Sequence, residues 1–120
     1  MKKAKPARGE LEAKARLLVK GERALGPGKA DLLDAIKQHG SISKAAKAMG
    51  MSYSRAWELV EAMNRLFKQP LVETESGGKR GGGARVTQFG EETLAVYRDL
   101  ETALETQVVA FVGEFRRRLK

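Results

Sequence analysis

Residues 41–67, SISKAAKAMGMSYSRAWELVEAMNRLF, constrain the fold of this chain more than any other stretch. Alanine fills positions 45, 46 and 48, Gly50 interrupts, and a serine stands ahead of each run. A serine at such a place caps a helix by accepting a hydrogen bond from a backbone N–H. The spacing predicts a short helix over 44–49 capped by Ser43. A glycine turn follows, and then a longer helix from Tyr53 to about Phe67, capped by Ser52. The small alanine side chains let the two helices cross closely. The pattern is that of a helix-turn-helix.

The longer helix divides by angle at ~100° per residue. Ala56, Val60, Met63 and Phe67 share one face and form a candidate buried stripe. Ser54, Glu58, Glu61 and Arg65 lie opposite, with Arg55 beside them. In a helix-turn-helix, the start of the second helix enters the major groove of DNA. That places Tyr53, Ser54, Arg55 and Glu58 at the duplex. Ser43 and Lys44 of the shorter helix and Ser52 at the cap complete this set of candidates. Arg55 can bond a guanine edge or a phosphate, and Glu58 can accept from a cytosine amine or orient Arg55. Glu61 would repel phosphates deep in the groove, so only the first two turns are expected to penetrate. Trp57, at the edge of the apolar stripe, reads as core packing.

Pro70 closes this region. Residues 71–75 (LVETE) and 84–87 (ARVT) are short and rich in β-branched residues. They flank SGGKRGGGA at 76–84, where five of the seven positions from Gly77 to Gly83 are glycine. The loop is not a P-loop: Lys79 is followed by Arg80, and no Ser or Thr stands there for magnesium. Strands on both sides also argue against a linker. The segment reads as a β-hairpin wing, with Lys79, Arg80 and Arg85 as its candidate DNA contacts.

Around this centre the punctuation is clear. Residues 15–20 and 23–25 suggest a small hairpin before Gly26-Pro27-Gly28. Residues 29–39 read as a helix with Leu32, Leu33 and Ile36 on one face and Gly40 as its left-handed cap. His39, the single histidine, suits a helix C-terminus and has no companions for a metal site. Thr87 can cap a last helix from Gln88 to about Arg118. Along it Leu94, Tyr97, Leu104, Val108, Phe111 and Phe115 recur at steps of three or four. A helix of this length spans ~45 Å, more than the rest of the domain can cover. The apolar stripe therefore predicts a partner helix, most simply that of a second subunit, and these six residues are the candidate dimer contacts.

Charge points the same way. Lys and Arg total 23 against 15 acids, a net of +8. Residues 1–29 hold nine Lys/Arg and three Glu, so six of those eight charges lie there. Such a balance favours nucleic acid as partner, ahead of an anionic membrane surface. No apolar run approaches the ~20 residues that span a bilayer. The basic start lacks the apolar stretch of a signal peptide. With no cysteine, disulfides and thiolate metal sites are excluded. A cytoplasmic location is expected. With one histidine and no paired acids in a motif, the sequence offers no catalytic site and calls for no cofactor.

The sequence resembles a known family. GSISKAAKAMGMSYSRAWELVEAMNRL and LVETESGGKRGGGARVTQFGEE are similar to the DNA-binding region of molybdate-responsive transcription regulators of the ModE type. The likeness runs from about Leu17 to Leu104. It includes the S-Y-x-x-A-W helix start, Met63-Asn64, Leu71-Val72-Glu73, the glycine wing and the T-x-x-G start of the last helix. LysR-type regulators share the general plan and the T-x-x-G feature, but not this wing. The resemblance implies a winged-helix homodimer acting in transcription. It carries recognition-helix roles to Ser52, Tyr53 and Arg55, and wing roles to Gly77, Gly78, Lys79, Gly81, Gly82 and Gly83. Ser54 departs from it, standing where a Lys or Arg is expected. Full-length members add molybdate-binding domains, for which a chain stopping at Lys120 has no room. The chain is therefore expected to be a stand-alone member or a fragment, and molybdate binding is not expected in it.

The expected fold is α+β, mainly α: a winged helix-turn-helix with a long C-terminal dimerisation helix. The expected organisation is a basic disordered tail at 1–13, the DNA-binding domain at 14–90 and the dimerisation helix at 91–120. The function that follows is a regulator binding a palindromic double-stranded DNA site as a homodimer, and the resemblance implies a link to molybdate or tungstate metabolism. Two alternatives stand beside it: a winged-helix protein-interaction module, and a nucleoid-type binder without an operator.

Overall fold

The computed structural model describes residues 11–75 and 82–120. In chain order it contains β1 (Leu17–Val19), β2 (Glu22–Leu25), α1 (Pro27–His39), α2 (Ile42–Met49), α3 (Tyr53–Leu66), β3 (Val72–Thr74), β4 (Ala84–Val86) and α4 (Gln88–Arg118). The two sheets are antiparallel two-stranded hairpins, β1 with β2 and β3 with β4. Mainly helical with a wing, the architecture is the one the sequence predicts.

The first hairpin turns on Lys20 and Gly21, both left-handed at φ 52° and 83°. Two consecutive positive φ values are the signature of a two-residue turn whose twist matches the strands. Its second strand buries Ala24 and Leu25, whereas all three residues of β1 remain exposed. Helix α1 starts two residues earlier than expected. Pro27 occupies its first turn, where the missing N–H is no loss. Gly40 ends it at φ 74°, its N–H donating to the Ile36 carbonyl at 2.8 Å.

Helix α2 corrects the cap assignment. Its N-cap is Ser41, whose hydroxyl accepts from the Lys44 N–H at 3.0 Å, while Ser43 lies exposed inside the first turn. The reason is burial. Ile42 is packed in the core, so the helix must begin early enough to carry it on the inner face. Ala45 and Ala46 line the crossing as expected, but Ala48 is exposed and takes no part in it.

The core gathers α1, α2, α3, both wing strands and the start of α4, with Leu32, Leu33, Ile36, Met63, Leu71 and Val72 fully buried. Asn64 links α3 to the wing. Its amide donates to the Val72 carbonyl at 2.9 Å and accepts from the Leu71 and Val72 N–H groups at 2.8 and 3.2 Å. The start of the wing strand is thereby held against the recognition helix.

Thr87 caps α4 as predicted, accepting from the Gly90 N–H at 2.9 Å and donating to the Pro70 carbonyl at 2.8 Å. The T-x-x-G spacing now has a physical reason. Gly90 lies so close to the wing that a Cβ there would meet the Leu71 oxygen at 2.3 Å.

The first turns of α4 pack on their own domain. Leu94 and Tyr97 are buried, and the Tyr97 hydroxyl donates to the Ala15 carbonyl at 2.8 Å. Arg98 pins the helix to α1 through Asp31 at 3.1 Å and Asp34 at 2.6 Å, and holds Glu101 at 2.9 Å. Leu94 and Tyr97 are thus core residues of one chain, which corrects their assignment as dimer contacts. The expected division after residue 90 falls inside this helix. Beyond Arg98 the helix runs on, with Leu100, Phe111 and Phe115 exposed and Leu104 and Val108 half-buried.

Candidate nucleic-acid interface

The exposed end of α3 is built from three local choices. Gly50, left-handed at φ 70°, closes α2, its N–H donating to the Ala46 and Lys47 carbonyls. Ser52 then starts α3 by accepting from the Arg55 N–H at 3.0 Å. Ala56, Val60 and Met63 fasten the inner face, with Phe67 half-buried beside them. The first two turns are left facing outward.

Tyr53, Ser54, Arg55 and Glu58 are all exposed there, as the sequence predicts, and Lys44 and Ser43 stand exposed on α2. Arg55 and Glu58 approach to 3.9 Å with both side chains more than half open to solvent. A pair so exposed and so long is worth little. The guanidinium can exchange it for a phosphate or a guanine edge.

The wing pairs Val72 with Val86, Glu73 with Arg85 and Thr74 with Ala84. Arg85 Nη2 stands 3.4 Å from Glu73 Oε2 on the exposed face. The hairpin is tied to α1 by the Ala84 N–H donating to the Gly40 carbonyl at 2.9 Å. Lys79 and Arg80, with Gly77, Gly78 and Gly81, lie outside the described residues.

Trp57 departs from its sequence reading. It is 48 % exposed, one turn beyond Tyr53, which is 54 % exposed. The angular projection put it at the edge of the stripe, and that edge is open to solvent. The sequence reading also missed a contact between α3 and the first hairpin. Arg65 bonds Glu22 of the first hairpin, and Lys29 Nζ donates to the Arg23 carbonyl. Burial pushes the Lys29 ammonium below its ordinary pKa; Glu22 opposes this, while the Arg55, Arg23 and Arg65 charges add to it. The Arg65 bond holds the Glu22 carboxyl below the usual range. Arg65 and Lys29 thus both act on the Glu22 carboxylate beside the recognition helix. Residues 22, 23 and 29 lie far from 55 and 65 in the chain, so no local pattern could reveal this.

Among the described residues no group of three or more His, Cys, Asp or Glu is placed to hold a metal ion. No helix among them is long and apolar enough to cross a membrane.

Comparisons with known proteins agree with this geometry. The molybdenum-pterin-binding protein MopA of Rhodobacter capsulatus is 46% identical over 84 residues, covering 70% of this chain and 32% of that protein. The molybdenum transport protein ModE of Azotobacter vinelandii is 44% identical over 78 residues, covering 65% and 29%. The chain thus spans about a third of the length of these curated relatives. Full-length LTTR LysG from Corynebacterium glutamicum, with bound effector Arg, superposes with a TM-score of 0.52 at 23% identity. That match covers 79% of this chain and 30% of LysG, and speaks for the fold alone. The model of the bacterial regulatory helix-turn-helix proteins of the lysR family matches residues 29–91, from α1 through the wing to the start of α4. The chain belongs to that lysR family of bacterial regulatory helix-turn-helix proteins and is similar to proteins named ModE.

Proposed function

We propose that this protein is a cytoplasmic, sequence-specific DNA-binding regulator of transcription that occupies a palindromic site as a homodimer. One observation carries the reading: a Ser52-capped helix whose first two turns hold Tyr53, Ser54, Arg55 and Glu58 clear of the core, with a wing hairpin fixed beside it through Asn64. Relatives named transcriptional regulator ModE support it, and their names extend the proposal to genes of molybdenum supply.

In this account α3 enters the major groove. Arg55 and Glu58 read base edges, while Ser43, Lys44, Ser52 and the wing cations Lys79, Arg80 and Arg85 position the protein on the backbone. The exposed part of α4, with Leu104, Val108, Phe111 and Phe115, pairs with its copy in a second chain. Two recognition helices then meet successive major grooves ~34 Å apart. The test is stoichiometry. Two chains should bind one palindromic duplex, with a single half-site bound far more weakly. One chain per duplex, with equal affinity for the half-site, contradicts the dimer.

A further inference from the structure

Tyr53 and Trp57 form an aromatic ledge on a surface that is otherwise charged. The two are four residues apart on α3, which makes them neighbours on one side of the helix. Both are about half open to solvent, at 54 % and 48 %. With Ser54 and Glu58 they line an open depression on the outward face. Trp57 also borders a second depression running toward the wing over Val60, Asn64, Val72 and Thr74. The indole therefore stands between the base-reading face of α3 and strand β3. Glu58 shares the first depression with it, and Glu61 and Arg65 share the second. Core packing does not explain a tryptophan in that position, and exposed apolar surface ringed by charge marks a contact site.

We propose that the Tyr53–Trp57 ledge reads thymine, its apolar face packing against a C5-methyl group in the major groove. The inference rests on the DNA-binding reading of α3. Every base edge in that groove presents donors or acceptors, and the thymine methyl is the one apolar group among them. An indole offers a broad apolar face and a single donor. A charged side chain such as Arg55 cannot select a methyl group, whereas this ledge can. Trp57 thereby adds a specificity determinant to the polar residues of the first two turns.

Trp57 is the only tryptophan in the chain, so its emission reports on this contact alone. The full chain is titrated with the tightest duplex selected from a randomised pool, binding being followed separately by anisotropy of the end-labelled DNA. Emission should change in step with binding. Replacing thymines one at a time by deoxyuridine should cost about fourfold in affinity at one position per half-site, the loss expected for one buried methyl-sized group. That sensitivity should vanish in Trp57→Ala and persist in Trp57→Phe, with helicity checked by circular dichroism. Duplex binding with unchanged emission overturns the proposal and leaves DNA recognition by α3 standing. Changed emission with every deoxyuridine duplex bound equally also overturns it, because the ledge then meets sugar. If no duplex in the pool is bound, the DNA-binding reading itself falls, and this inference with it.

Discussion

Gly90→Ala and Gly113→Ala place the same methyl group on the same helix and should change stability in opposite directions. At Gly90 the new Cβ would lie 2.3 Å from the Leu71 oxygen, 2.8 Å from Val86 Cγ1 and 3.0 Å from the Leu71 carbon. Two of these atoms are backbone in the wing, so no rotamer change relieves the contact. Helix and strand must separate by roughly 1 Å to restore an ordinary van der Waals distance. The Thr87 N–H bond to the Leu71 carbonyl, now 2.9 Å, stretches with them. Overpacking of this kind costs about 1–3 kcal/mol, and a weakened backbone hydrogen bond about 1 kcal/mol. The gain in helix propensity from Gly to Ala returns up to about 1 kcal/mol. A net loss of about 2 kcal/mol follows. At Gly113 nothing lies within 4 Å of the added Cβ, so the propensity term stands alone and the variant should gain about 0.5–1 kcal/mol. Urea unfolding of both variants at one protein concentration measures the difference. A Gly90→Ala protein as stable as the wild type would refute the close helix–strand packing inferred at this point.

The cap assignment predicts that Ser41→Ala and Ser52→Ala each cost about 1 kcal/mol, while Ser43→Ala is within about 0.5 kcal/mol of neutral; thermal unfolding of the three variants ranks them, and a large loss at Ser43 would contradict the start of α2. A pH titration tests the seat of α4. Burial, with the nearby Glu101 and Asp31 charges, raises the Tyr97 phenol above its ordinary pKa against the opposing charges of Arg98 and Arg16. A raised folded-state pKa means that the folded chain prefers the neutral phenol. The contribution is therefore present in full below the unfolded value of about 10 and is lost as pH rises through the folded value. Absorbance at high pH should show one of the two tyrosines ionising late in the folded protein and normally in denaturant, and Tyr97→Phe should remove the late step.

What the sequence made legible was its punctuation. Gly40, Gly50, Ser52 and Thr87 act through their own backbone neighbours, and the elements they bound were readable from spacing alone. Where two punctuators competed, as at Ser41 and Ser43, the burial of Ile42 decided, and burial is a property of the packed domain. Periodicity along α4 was correctly seen, but it could not say where the stripe leaves its own core. That point is set by Ala15 and α1, which accept Tyr97 and Arg98 from more than sixty residues away. Trp57 was misplaced for the same reason, since projection on a helical wheel gives direction and omits what stands opposite. The three hydrogen bonds of Asn64 to the wing have no local signature at all; only the fold explains why an amide is needed there.

Whether α3 reads DNA sequence is answered most directly by one measurement. Anisotropy of a labelled palindromic duplex selected for this protein, and of a scrambled duplex of equal length, is followed between about 50 and 200 mM salt. Affinities should fall steeply with salt, the selected site should be preferred by about a thousandfold or more, and that preference should collapse in Arg55→Ala with scrambled binding little changed. Equal affinity for the two duplexes, or an Arg55→Ala variant that keeps the full preference, would contradict sequence reading by α3.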